Sequence, residues 1–155
     1  MKNKQKINWI VFVVLMMDQL IKILVQKNMT LHEEIKIIPH FFSIYYVQNT
    51  GAAFSILKDA TILLIMISVV FIVFINKQIK KEEEKLDTIS IISLGLILGG
   101  IFGNLLDRII HHSVIDYLSF SFGNYSFPVF NLADMGITIG LGLLLFDLWK
   151  RRNEV

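Results

Sequence analysis

Phe130-Asn131-Leu132-Ala133-Asp134 stands at the head of a run that stays largely apolar from Val129 to Trp149, so an ionisable side chain lies a few residues inside a segment long enough to cross a bilayer. A second acid, Asp116, sits in the stretch just before it. A carboxylate near the centre of a lipid-embedded helix is costly, so such groups usually face a protein interior or a wet cavity and serve a function there. The stretch therefore reads as a membrane helix whose entrance carries chemistry.

Outward from it, three more apolar blocks can be marked: Ile7 to Val25, Thr61 to Ile75 and Leu86 to Leu106. The second is short and reads as extending past its flanks. The chain has 155 residues, 54% of them hydrophobic, with a mean hydropathy of +0.61. That length holds one domain, 1–155, of four crossings at roughly 20 residues each, with little left for a soluble module. The expected class is a mainly α membrane protein, a four-helix transmembrane bundle with helices at about 7–25, 61–75, 86–106 and 129–149. Having no cysteine, the chain has no disulfide framework, thiol nucleophile or thiolate metal site. A net charge of +2 is too small to suggest nucleic acid as a partner.

Ten cations flank the helices on one side: Lys2, Lys4 and Lys6, then Lys77, Lys80, Lys81 and Lys85, then Lys150, Arg151 and Arg152. The other two loops hold only Lys27, Lys36, Lys58 and Arg108. The positive-inside rule places both termini in the cytoplasm and sends loops 26–60 and 107–128 outward. The first block resembles a signal peptide in its basic start and apolar body. Its apolar run is too long for one, Asp18 and Lys22 interrupt it, and no small-x-small cleavage site follows. It reads as an uncleaved helix.

The outward stretches Lys36 to Val47 and Tyr117 to Phe122 are rich in aromatic and β-branched residues, and Gly123-Asn124 offers a turn, so short strands are expected there. Aromatic residues at that density suit the headgroup layer, either as a plain belt or as a substrate platform lying on the membrane. Lys80 to Lys85 reads as a solvated linker.

At about 1.5 Å per residue, Asp18 lies roughly 10 Å below the outer end of the first helix, with Lys22 one turn nearer that surface. Asn104, Asp107 and Arg108 close the outer end of the third helix, while Asn131 and Asp134 open the fourth. Asp18 with Lys22, Asn104 with Arg108 and Asn131 with Asp134 each share a helix face. Asp147, near the inner end, reads as structural, within reach of water or Lys150; Asp107 reads as a salt-bridge partner of Arg108 or a neighbour. Gly95, Gly99 and Gly103, with Gly100 beside them, and Gly136 with Gly140 allow helix backbones to approach closely. That approach would carry Asp134 toward the loop after the third helix.

Metal chemistry fits poorly: His32-Glu33 lacks a second histidine at zincin spacing, and the adjacent His111 and His112 point apart. A serine nucleophile, Ser55 or one in a loop, with Lys22 as base is conceivable, but Lys22 is better explained as partner to Asp18. A carboxylate pair remains. Two close acids share one proton, so one serves as base toward water while the other donates, and neither metal nor cofactor is needed. Asp116 and Asp134 would form such a hydrolase site if they meet. A small proton- or ion-coupled transporter and a noncatalytic membrane scaffold are the alternatives; nearly uncharged inner helix halves argue against the first.

Asp18-Gln19-x-x-Lys22, Asn49-Thr50-Gly51-Ala52-Ala53-Phe54, Gly99-Gly100-x-x-Gly103-Asn104-x-x-Asp107-Arg108, Val114-Ile115-Asp116-Tyr117 and Phe130-Asn131-x-Ala133-Asp134 together resemble the ordered motifs of bacterial lipoprotein signal peptidases, the signal peptidase II family. The resemblance covers nearly the whole chain. It implies a membrane aspartyl endopeptidase that cuts prolipoproteins before the diacylglyceryl-modified cysteine, with Asp116 and Asp134 as the catalytic dyad. It further implies that Asn49, Gly51, Asn104, Arg108 and Asn131 hold substrate or site geometry and that Asp18 and Lys22 support it. A small extracytoplasmic sheet, a mobile outer segment within 26–60 and 110–128, and inhibition by globomycin-type peptides are implied too. One chain holds all the parts, so the expected working unit is a monomer in the bacterial cytoplasmic membrane. From chemistry alone, the three asparagines serve equally well as helix-to-helix hydrogen bonders.

Overall fold

A computed structural model describes residues 2–51 and 57–153. Four helices, α1 (Asn3–Asn28), α2 (Thr61–Glu82), α3 (Thr88–His111) and α4 (Leu132–Asn153), alternate with strands β1 (Glu34–Ile38), β2 (Phe42–Asn49), β3 (Val114–Phe122) and β4 (Tyr125–Ser126). A single 3-10 turn, Glu83–Lys85, joins α2 to α3. All four helices are long and apolar enough to cross a membrane. Trp9, Phe12, Ile62, Val70, Phe74 and Trp149 are each more than half exposed, on a surface that lipid rather than water would cover.

The centre of the bundle is α3, 61% of whose apolar window is buried against 11% for α2. It packs between α1 and α4 and touches α2 at its side. The glycines make this possible, though they divide the work differently from a single stripe. Gly95 and Gly99 face Ile10 and Val14 of α1, whereas Gly100 faces the Ala133 carbonyl of α4 and Gly140 faces Ser93 of α3. Gly103 lies where three helices meet: a Cβ there would come 2.5 Å from Asp18 Oδ2 and 3.2 Å from Ala133 Cβ.

The helices run beyond their apolar blocks. Polar residues outside the core continue α1 and α2 without needing burial, and Asp87 caps α3 by accepting from the Ser90 N–H at 2.8 Å. At the other end α3 keeps going past its apolar bound at 106 through Asp107 and Arg108 and stops at His112 in the left-handed region. Conversely α4 starts at Leu132 rather than Val129, because Asn131 caps it: its Oδ1 accepts from Asp134 N–H at 2.9 Å. Asp134 answers by accepting from the Asn131 N–H at 3.3 Å, which completes a capping box.

The strands form one antiparallel layer in the order β1-β2-β3-β4 at one end of the bundle. The expected strand stretch from Lys36 to Val47 is broken by Pro39-His40-Phe41, with His40 at φ 62°, into a hairpin. Gly123, at φ 61°, turns β3 into β4 as expected. Residues 114 to 117 are buried in succession where β3, flanked in the sheet by β2 and β4, packs against α1 and α3. Pairing of Val47 with Asp116 and Asn49 with Val114 sets Asn49 beside Asp116.

Candidate active site

Four elements, β2, α3, β3 and α4, bring polar side chains to the sheet end of the bundle. A cavity of about 940 Å³ opens there between α2, α3, α4, the β2–β3 pair and residues 127–130. Asn49, Asn104, Arg108, Asp116 and Asp134 all reach it, and Leu64, Ile67, Phe127 and Ile139 give it an apolar wall. The apolar side suits a lipid-bearing or hydrophobic ligand and the polar side a peptide backbone.

Both carboxylates are held by amides. Asp116 accepts from Asn131 Nδ2 at 2.7 Å and from Asn49 Nδ2 at 3.1 Å, one on each oxygen. Asp134 accepts from Asn104 Nδ2 at 2.7 Å. Asn131, fully buried, ties the two together: its Nδ2 reaches Asp116 and its Oδ1 takes the Asp134 N–H. Burial first, and then the neighbouring Asp134 charge, push the Asp116 carboxyl up to about 7. Desolvation disfavours the charged form and the nearby acid adds to it; hydrogen bonds from Asn49 and Asn131 pull the other way and lose. The arrangement suits a carboxyl that is protonated part of the time near neutral pH.

Arg108 donates from Nη2 to the Gly51 carbonyl at 2.9 Å, so Gly51 is fastened to α3. Gly51 N–H in turn donates to Asn49 Oδ1 at 2.9 Å, which fixes how the Asn49 amide is turned. The buried Arg108 Nε has no acceptor among the described residues. Ala52, Ala53, Phe54 and Ser55, singled out in the sequence, lie outside the described residues.

Asp18 and Lys22 do not line the cavity; they lie behind it. Lys22 Nζ is 2.8 Å from Asp18 Oδ2 and 2.9 Å from Asp107 Oδ2, so Asp107 pairs with a neighbouring helix. Occupied on both sides, that ammonium is placed as an ion-pair partner and not as a serine's base. Gln19, overlooked within its motif, donates to Asp107 Oδ1 at 2.8 Å. Tyr117 was missed as well: its hydroxyl accepts from Leu132 N–H at 3.2 Å, and burial raises its phenol. Asp147 sits at the opposite end of the bundle, accepting from Ser90 Oγ at 2.7 Å and paired with Arg151 at 3.0 Å.

The family model described as signal peptidase (SPase) II matches residues 10–150. A lipoprotein signal peptidase of Halothermothrix orenii is 43% identical, covering 93% of this chain and 95% of that protein. One of Symbiobacterium thermophilum is 40% identical over 88% of this chain and 89% of its own length. Among solved structures, one described as a bacterial membrane enzyme determined by the in meso method superposes with a TM-score of 0.87 at 28% identity, covering 96% of this chain and 90% of the other.

Proposed function

The chain belongs to the signal peptidase II family, and on that premise we propose that it is an aspartyl endopeptidase in which Asp116 and Asp134 share a proton and activate one water. Membership makes it a multi-pass membrane peptidase that processes prolipoproteins. The finer reading is cleavage just before the diacylglyceryl-modified cysteine, on the extracytoplasmic side of the bacterial cell membrane, by a monomer that globomycin-type peptides block.

The observation that carries it is a pair of carboxylates on one cavity, Asp116 buried and Asp134 half-buried, each held by asparagine amides, with Asp116 pushed up to about 7. The ionised member takes a proton from water, whose oxygen attacks the scissile carbonyl carbon. The protonated member donates to the carbonyl oxygen, and the tetrahedral intermediate collapses as a proton reaches the leaving nitrogen. Arg108 Nε–H, buried without an acceptor among the described residues, is available to a substrate carbonyl. In lipid an unmet backbone group costs several kcal/mol, so such donors hold an extended peptide in place. Three features support the outward placement of the site: the cations concentrate at the opposite end of the bundle, the sheet end is poor in them, and a lipid-modified cysteine lies at headgroup depth.

The test is cleavage of a diacylglyceryl-modified substrate peptide by purified protein in detergent, without added metal and with EDTA present. Wild type cuts; Asp116→Asn and Asp134→Asn each bind peptide and lose at least about 10³-fold in rate. Cleavage surviving both single changes refutes the dyad.

A further inference from the structure

Behind the cavity a single ammonium touches both halves of the site. Lys22, 1% exposed, bridges Asp18 of its own helix and Asp107 of α3 and donates to Asn104 Oδ1 at 3.1 Å. Each of those carboxylates also grips main chain. Asp18 Oδ1 accepts from Ala133 N–H at 3.0 Å, and Asp107 Oδ2 accepts from Ile115 N–H at 3.0 Å. Ala133 is the residue before Asp134, and Ile115 is the residue before Asp116. Asn104, oriented by Lys22, passes the third connection directly to Asp134 through its Nδ2.

We propose that Lys22, Asp18 and Asp107 form a positioning unit that sets the separation and aim of the Asp116–Asp134 pair by holding the peptide N–H immediately before each acid. The inference rests on the dyad reading above. It assigns Asp107 a purpose beyond a salt bridge. The geometry is that of a brace: α4 enters the bundle through Asp18, β3 leaves α3 through Asp107, and Lys22 joins the two holds. Gly103 keeps the space clear, since a Cβ there would meet Asp18 Oδ2. A strand start and a helix start have no covalent reason to keep a fixed spacing. Buried acceptors on their peptide groups supply one, and a displacement near 1 Å at reacting groups costs on the order of 10² in rate.

Acceptor and charge can be separated at Asp107. Asp107→Asn retains an oxygen for Ile115 N–H and leaves Lys22 with Asp18 as a balanced pair, whereas Asp107→Leu fills the same volume without an acceptor. Rates are measured on the lipopeptide and normalised to protein that binds it, so that lost folding does not count as lost catalysis. The expected result is kcat down roughly 10²-fold in Asp107→Leu with KM within about twofold, and kcat within about threefold of wild type in Asp107→Asn. The pair Asp18→Asn and Asp18→Leu repeats the comparison on the α4 side and decides the matter if Asp107→Leu does not fold. Wild-type kcat in a folded leucine variant, or equal losses in the asparagine and leucine variants, overturns the positioning role. Run beside Asp116→Asn and Asp134→Asn, the two failures are distinct: active dyad variants defeat the dyad reading, while inactive ones with a fully active Asp107→Leu defeat the brace alone.

Discussion

Removing the Asn49 amide should move the alkaline limb of the pH–rate profile upward by about one unit. Asn49 Nδ2 donates to Asp116 Oδ2 at 3.1 Å, a bond that favours the carboxylate and so holds the Asp116 value down. The groups facing Asp116 are Asp134 from α4, which raises it, Asn131 at the head of α4 and Lys22 from α1, which lower it, and Arg108 from α3 across the cavity. All of these remain in Asn49→Ala. A hydrogen bond to a charged group contributes roughly 1.5–3 kcal/mol, and one pKa unit is about 1.4 kcal/mol. At 3.1 Å, on the cavity side where water can partly take the donor's place, the lower end applies, which gives about one unit.

The sign follows from the shared proton. The active pair carries one proton and loses it as pH rises through its upper titration, near the value of about 7 for Asp116. Without the Asn49 donor the proton is held more firmly, so activity persists to roughly pH 8 before falling. The assay is kcat/KM for the lipopeptide between pH 5 and 9. Loosening Gly51, whose N–H also leans on Asn49, lowers the amplitude of the curve but not its midpoint. A limb that stays in place, or moves down, refutes the account of how Asp116 is tuned.

Three other outcomes are expected. Asp116 keeps its proton up to about 7 in the folded protein against 3.8 for an exposed carboxyl, so its contribution to stability falls as pH rises between those values and is constant above them. Thermal unfolding in detergent should therefore show Asp116→Asn gaining on wild type across that window, by at most roughly 1.4 kcal/mol per pH unit. Asp147→Ala removes the acceptor of Ser90 and the partner of Arg151, which is 42% exposed and can turn to water; unfolding midpoints should report a loss of about 1–2 kcal/mol, with kcat unchanged. Gly100→Val drives a side chain into the Ala133 carbonyl and Ile137; melting should report about 1–3 kcal/mol lost, and kcat should fall because Ala133 adjoins Asp134.

Four spans, the two strand-forming stretches and the polar side chains that converge at one end are legible in the sequence because hydropathy, β-branching and helical spacing act locally. The Asn131-x-x-Asp134 spacing also announces a helix start, although the apolar run hides it by beginning at Val129. Less legible is how each polar group is satisfied. Asp107 and Arg108 read as the outer end of the third helix, just past its apolar bound at 106, but polarity does not reveal that both are buried in α3 with partners from α1, β3 and Gly51. The acceptors for Ile115 and Ala133 could not be foreseen, since a main-chain N–H leaves no residue-type signature. Nor does the period of Gly95, Gly99 and Gly103 reveal that α1 takes the first two while Gly100 serves α4.

The division between amides and charges follows from what a proton-sharing pair requires. Were a lysine or arginine bonded directly to Asp116, the Coulomb gain in a buried site would hold that carboxylate ionised, and the shared proton would leave well below neutral pH. Asparagines orient both acids at less electrostatic cost, because an amide donates without carrying net charge. Lys22 is kept one amide away: its Nζ meets Asn104 Oδ1 at 3.1 Å, and Asn104 Nδ2 meets Asp134 at 2.7 Å. Asp18 and Asp107 flank that ammonium, so the group behind the site lends rigidity, and its charge lowers the Asp116 value by less than burial raises it. Burial is then free to dominate, as it does for Asp116. Apart from Arg108, which lines the cavity, charged donors are thus kept where they brace the backbone, and amides hold the two acids between which a proton has to move.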